Sequence, residues 1–208
     1  MKIGIIGTGN MASALGKAWA AKGHEVVFGS RTPDKALELA KKIGSKACAG
    51  TIAEAAAYGD VVALAVPYRE IGPVLSATGA LLGKTVIDLT NPLSEDYMGL
   101  TLGHTTSAAE EIAKLIPGAR VVKAFNTIFA QVIADPVVGG TRATVFYAGD
   151  DAPAKEVVAG LIWDVGFDPV DAGNLANARF LEPLAALMVQ LGFALGHGPT
   201  VAPRLLRR

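Results

Sequence analysis

The feature that most constrains this chain is Gly7-Thr8-Gly9-Asn10-Met11-Ala12. This G-x-G-x-x-A run starts directly after the apolar stretch 2–6 and leads into a stretch of helical composition, 11–22. Gly7 permits a tight turn. Gly9 removes the Cβ that would keep a pyrophosphate off the backbone, and Ala12 lets helix and strand pack closely. The new helix then offers free N–H groups and a partial positive charge at its start. The run predicts a β-α-β unit that binds a dinucleotide, with Gly7, Thr8, Gly9, Asn10 and Met11 at the phosphates.

The rest of the chain keeps the same rhythm. Strands are expected at 2–6, 25–28, 61–66, 85–89, 121–125 and 144–147, and helices at 11–22, 33–43 and 108–115. Most of the strand runs are continuously apolar, the mark of strands covered on both faces. The fold class is therefore α/β, a doubly wound, mostly parallel Rossmann-type sheet. Residues 1–173 make the dinucleotide-binding domain. Residues 174–208 add a C-terminal helix, 174–195, and a basic tail, 204–208, that are no independent domain. Along that helix Leu175, Phe180, Leu181, Leu184, Leu187, Met188, Leu191 and Leu195 form a broad apolar stripe. It reads either as core packing or as a homodimer interface that roofs the site. Arg179 and Glu182 are spaced to pair along the helix, and Pro183 predicts a bend or a fresh start.

Composition narrows the function. Lys+Arg and Asp+Glu both number 19, so no basic surface is available for general nucleic-acid or anionic-membrane binding. Cys48 is the single cysteine and there are three histidines, so neither an intrachain disulfide nor a Cys/His metal site is expected. The apolar N-terminal run is too short for a signal peptide and no run reaches the roughly 20 residues of a membrane span. The expected location is cytoplasmic.

The end of the second strand selects the nucleotide. An NAD site places Asp or Glu there to hold the ribose hydroxyls. Here the nearest acid, Glu25, lies at the opposite end of the strand. Ser30, Arg31 and Lys35 stand instead where the 2′-phosphate of NADP(H) would sit, and a guanidinium suits that phosphate. Further strand ends carry Val66-Pro67-Tyr68, Thr90-Asn91-Pro92 and Phe125-Asn126-Thr127, a candidate nicotinamide pocket. No Tyr precedes a Lys by four residues, and His24, His104 and His197 are scattered. The catalytic residues are thus unassigned. Direct hydride transfer between two rings needs orientation more than acid–base help, which points to a flat small-molecule redox partner.

In order along the chain, G-T-G-N at 7–10, S-R at 30–31 with Lys35 behind it, V-P-Y at 66–68, A-F-N-T at 124–127, A-G-D-D at 148–151, D-A-G at 171–173 and N-A-R-F-L-E at 177–182 resemble the coenzyme F420-dependent NADP oxidoreductases. The L-E-P at 181–183 and the basic tail look like a bacterial subgroup. The resemblance implies NADP binding by residues 8–11, Ser30, Arg31 and Lys35, with Pro67 and Tyr68 near the nicotinamide, and F420 as co-substrate. Three alternatives stay open: reduction of a flavin or another small molecule, a non-catalytic NADPH sensor, and a pyrroline-carboxylate or β-hydroxyacid-type reductase. Reductases of that last type carry a much longer helical domain than the about 35 residues that follow Gly173.

Overall fold

The computed structural model describes residues 1–207; Arg208, the last residue of the basic tail, lies outside the described residues. Strand and helix alternate through β1 (Lys2–Ile6), α1 (Asn10–Ala21), β2 (Glu25–Gly29), α2 (Pro33–Ile43), β3 (Ala47–Gly50), α3 (Ile52–Tyr58), β4 (Val61–Leu64), α4 (Ile71–Thr78), β5 (Thr85–Asp88), α5 (Ala108–Leu115) and β6 (Arg120–Ala124). There follow α6 (Ala130–Ala134), a small hairpin of β7 (Val137–Val138) and β8 (Thr141–Arg142), then β9 (Thr144–Gly149), α7 (Ala152–Asp164), β10 (Asp168–Asp171) and α8 (Ala178–Val189).

Eight strands form one sheet in the order β10-β9-β6-β5-β4-β1-β2-β3. Neighbours run parallel, except that β6 and β9 are antiparallel. The chain winds outward from β1 through β2 and β3, returns to β4, and winds the other way. This is the doubly wound, Rossmann-type sheet that the apolar runs predict. The direction of winding reverses between β1 and β4, and the carboxyl ends of these strands open the crevice where such folds take ligands.

The sheet is covered on both faces because its strands are apolar on both. Ile3 and Ile5 join Trp19, Phe28, Phe125 and Phe167 in one core. Ile6 joins Ile52, Leu64, Val86 and Ile112 in the other. Gly4 lets α3 rest directly on β1: a Cβ there would lie 2.1 Å from the Ala55 carbonyl oxygen.

Two strands of the eight-stranded sheet lack the apolar signature that marks its others. β3 is the small, half-exposed ACAG, and β10 is DPVD. Both lie at sheet edges, where one side needs no partner and a proline is tolerated. The C-terminal segment also departs from expectation. A short 3-10 turn, Leu175–Asn177, precedes α8, and a wider π-type turn, Gln190–Ala194, follows it. Pro183 sits inside α8 with no fresh start. Buried contacts hold the helix on either side of it, through Leu181 before and Ala185 after.

The expected Arg179–Glu182 pair does not form. The two side chains reach α5 separately. Arg179 Nε and Nη2 donate to Glu110 at 2.9 and 2.6 Å, while Glu182 accepts from the Ala108 and Ala109 backbone N–H groups at 2.9 and 3.2 Å. Spacing along one helix favours a local pair, but tertiary partners with better geometry take both groups. The guanidinium, with Ser107, holds the Glu110 carboxyl below its ordinary value near 4.5. A depressed carboxyl stabilises the fold above its unfolded pKa and loses that contribution as the pH falls through the folded one. The stability gap between the wild type and Arg179→Ala should therefore be full above about pH 4.5 and shrink below it, as read from urea melts across pH 7 to 3.

Candidate functional site

The site begins at the loop between β1 and α1. Gly7 has a φ of +128°, and a Cβ on it would lie 2.3 Å from the Ala65 carbonyl oxygen, so the turn admits glycine alone. Thr8 follows, half-buried, and Gly9 and Asn10 are exposed. Nothing lies within 4 Å of the Cβ that Gly9 lacks. Gly9 caps α1 without a side-chain hydrogen bond, and the first turn of α1 holds no acid. The helix start is thus uncapped by any side chain and open at Gly9, an arrangement that suits an anion. Ala12 is fully buried beneath.

From this loop a cleft of about 880 Å³ runs along the carboxyl ends of β4, β5 and β6. It brings together Gly9, Asn10, Met11, Val66, Pro67, Asn91, Phe125 and Asn126 of the residues singled out in the sequence. Gly7 and Thr8 lie within the turn itself. Tyr68 packs against the core on the α4–α5 face, where burial raises its pKa. The carbonyl of Pro92 accepts from the Thr101 N–H at 2.7 Å, which anchors the loop beyond β5. Ser30, Arg31 and Lys35 stand beyond β2, apart from this wall. Ser30 Oγ accepts from the Thr32 N–H at 3.0 Å, Arg31 pairs with Glu70 at 2.9 Å, and Lys35 is exposed.

The floor of the cleft is a polar clamp. Asn91 Nδ2 donates to the Asn126 carbonyl at 2.9 Å. Asn126 Nδ2 donates to Asn91 Oδ1 and to the Leu181 carbonyl, both at 3.0 Å. Phe125, just before, is fully buried with a φ of +62°. That left-handed backbone costs on the order of 1–3 kcal/mol for a bulky residue. The edges of Trp19 and Phe167 hold its ring in place. Thr90 Oγ1, Asn126 Oδ1 and Thr127 Oγ1 are buried without a partner among the described residues. Unpaired polar atoms at such a depth are costly, and here all three cluster at the strand ends that the cleft follows.

Sequence reasoning missed the group beneath this floor. Lys123 Nζ lies 2.8 Å from Asp88 Oδ2 and 2.8 Å from Glu182 Oε1, and all three side chains are buried. Lys123 also donates to the Thr90 carbonyl, and Asp88 Oδ1 accepts from the Thr90 N–H at 2.8 Å. Lys123 sits in the apolar run of β6 and its partners lie 35 and 59 positions away, so no local spacing announced them. The wall contributed by 93–98 and by Phe193 of the π-type turn was equally unmarked, since Leu93, Met98 and Phe193 carry only the signal of ordinary apolar residues, whereas Met188 belongs to the stripe expected either in the core or over the site. Among the described residues no group of three or more His, Cys, Asp and Glu side chains could hold a metal ion, and no helix is long and apolar enough to cross a membrane.

An open glycine loop at the switch point of a doubly wound sheet, with cations beyond β2, fits NADP(H). A family profile described as "NADP oxidoreductase coenzyme F420-dependent" matches residues 2–92. The F420-dependent NADP reductase of Methanothermobacter marburgensis is 32% identical over 207 residues, covering 92% of each chain. A solved structure from Arthrobacter sp. fb24, described as a candidate F420-dependent NADP reductase, superposes with a TM-score of 0.91 at 32% identity over all of both chains. The rat metalloreductase STEAP3 is 34% identical over 183 residues, 88% of this chain, but the match spans only 36% of that protein. The protein is an NADP-dependent oxidoreductase. It belongs to the coenzyme F420-dependent NADP oxidoreductase family.

Removing the Lys123 cation would leave two buried carboxylates facing each other. Breaking such a group typically costs about 3–5 kcal/mol. Lys123→Met should therefore lower the melting temperature by on the order of 10 °C in a calorimetric scan, whereas Lys123→Arg should lose less. Equal melting of Lys123→Met and the wild type would overturn the role of the ammonium in holding the two carboxylates.

Proposed function

We propose that this chain passes hydride between NADP(H) and coenzyme F420 in the cleft at the carboxyl ends of β4, β5 and β6. The observation that carries the reading is the chemistry of the cleft wall. It is largely apolar, and its ionisable side chains are Asp96 and Tyr97, both in the loop beyond β5. Asp96 is tied to the Ser94 hydroxyl at 2.6 Å and to the Met98 N–H at 3.0 Å. These bonds hold its carboxyl below the ordinary range, so it is a poor proton donor. A largely apolar pocket whose one carboxyl is held ionised suits transfer between two flat rings.

NADP(H), when bound, supplies or accepts the hydride; the chain contributes position, exclusion of water and fixed dipoles. In this reading Gly7, Thr8, Gly9, Asn10 and Met11 hold the pyrophosphate. Ser30, Arg31 and Lys35 hold the 2′-phosphate. Val66, Pro67, Asn91, Phe125 and Asn126 line the nicotinamide half, while Tyr68 and Pro92 brace the turns on which Pro67 and Asn91 sit. Residues 1–173 form the cofactor-binding domain. The following segment closes it: Ala185, Met188 and Val189 of α8 face the cleft.

Stopped-flow mixing of the protein and NADPH with oxidised F420 tests the acceptor. Bleaching of the deazaflavin within the enzyme's turnover time is the expected outcome. Reduction of a flavin with no change in F420 would move the acceptor to the flavin, and no turnover with either would leave an NADPH sensor.

The outer face of the C-terminal segment supports a homodimer as part of this reading. Phe180 is 71% exposed, and Leu187 and Leu195 are exposed on the same segment. The stripe expected from the sequence is thus divided, with Leu175, Leu181 and Met188 buried and Phe180, Leu187 and Leu195 outside. Sedimentation at micromolar concentration should give twice the chain mass. A monomer with full turnover would remove the second subunit from the site.

A further inference from the structure

Arg31 stands two positions beyond the end of β2, and Glu70 ends the single 3-10 turn, Tyr68–Glu70, that follows β4. In the sheet β1 lies between those two strands. The Arg31–Glu70 pair, Nη2 to Oε2 at 2.9 Å, therefore crosses above the carboxyl end of β1, where the glycine loop leaves the sheet. The Arg31 side chain is 63% exposed and that of Glu70 30%, so an incoming ligand can reach both. The other cation near Glu70, Arg69, keeps its Nε 3.9 Å from Oε1. The guanidinium of Arg31 is thus the carboxylate's principal partner.

We propose that Glu70 is a specificity-determining residue for the cofactor: its carboxylate occupies the Arg31 guanidinium and has to be displaced when the 2′-phosphate of NADP(H) binds there. The proposal rests on the reading of Arg31 as a phosphate contact. A carboxylate and a phosphate present similar oxygen acceptors to a guanidinium. The phosphate carries more charge and wins the exchange, but the freed carboxylate then sits close to a second anion. Glu70 consequently weakens the grip on NADP(H) and reclaims Arg31 as the cofactor leaves, which favours release. NADH brings no phosphate to this place and displaces nothing.

Dissociation constants for NADPH and NADH should be measured on the wild type, Glu70→Gln, Glu70→Ala, Arg31→Ala and the Arg31→Ala/Glu70→Gln double variant, each checked for an unchanged melting temperature. An exposed ion pair is worth up to about 1 kcal/mol, roughly fivefold, and relief of repulsion adds to it. Both Glu70 variants should tighten NADPH roughly two- to tenfold and leave NADH unchanged. Arg31→Ala should weaken NADPH, and in the double variant the gain from Glu70→Gln should shrink to the part that relieves repulsion, because competition for the guanidinium is gone. If Glu70→Gln leaves NADPH binding unchanged or weaker while Arg31→Ala still weakens it, the role of Glu70 is overturned and the phosphate contact stands. If Arg31→Ala leaves the NADPH-to-NADH ratio unchanged, the phosphate contact is overturned and the role of Glu70 falls with it.

Discussion

The arrangement of the cleft depends on one ammonium group. Lys123 projects from β6 between the carboxylates of Asp88 on β5 and Glu182 on α8, at 2.8 Å from each. Its side chain is wholly buried. One cation between two carboxylates leaves a formal excess of negative charge, and the N-terminus of α5 faces it: the Ala108 and Ala109 N–H groups both point at Glu182. Helix dipole and ammonium together satisfy what would otherwise be a prohibitive burial. Such a group adds little net stability over an apolar replacement of the same shape. Its effect is positional, since it ties α8 to two strand ends and to α5 at one register.

That register carries through to the cleft. Leu181, next to Glu182, gives its carbonyl to Asn126, and Asn126 is locked to Asn91. One turn further along α8, Ala185 and Met188 reach the cleft wall. The buried trio and the polar clamp are thus consecutive links between the helix and the strand ends. Phe125 is held in a left-handed conformation between them. The backbone there is set by its surroundings, and Trp19 and Phe167 on the far face supply the restraint.

The opposite end of the crevice is built differently. Around the glycine loop the important contacts are close approaches of backbone, as at Gly7 against Ala65. Beyond β2 the important groups are exposed and charged. A rigid apolar half and a solvated ionic half fit a dinucleotide whose nicotinamide reacts and whose adenosine end is only recognised. The Arg31–Glu70 pair belongs to the second half, where an ion pair can open at small cost.

Read alone, the sequence determined the sheet, the glycine loop and the family. Continuous apolar runs report burial on both faces, and a turn that only glycine can make is written in its residue type. Those signals are local, so they survive without coordinates. It placed Asn91, Phe125 and Asn126 at the mouth because strand ends are legible wherever strands are. It did not reveal β3 or β10, whose edge positions relax the apolar pattern. It paired Arg179 with Glu182 and expected Pro183 to break the helix, because spacing and propensity describe an isolated segment. Tertiary structure decided those points: partners on α5 and β6 outcompete the neighbour on the same helix, and buried flanks carry α8 through its proline. The Lys123 trio and the Arg31–Glu70 pair join residues far apart in the chain, and only the fold brings such charges within hydrogen-bond distance.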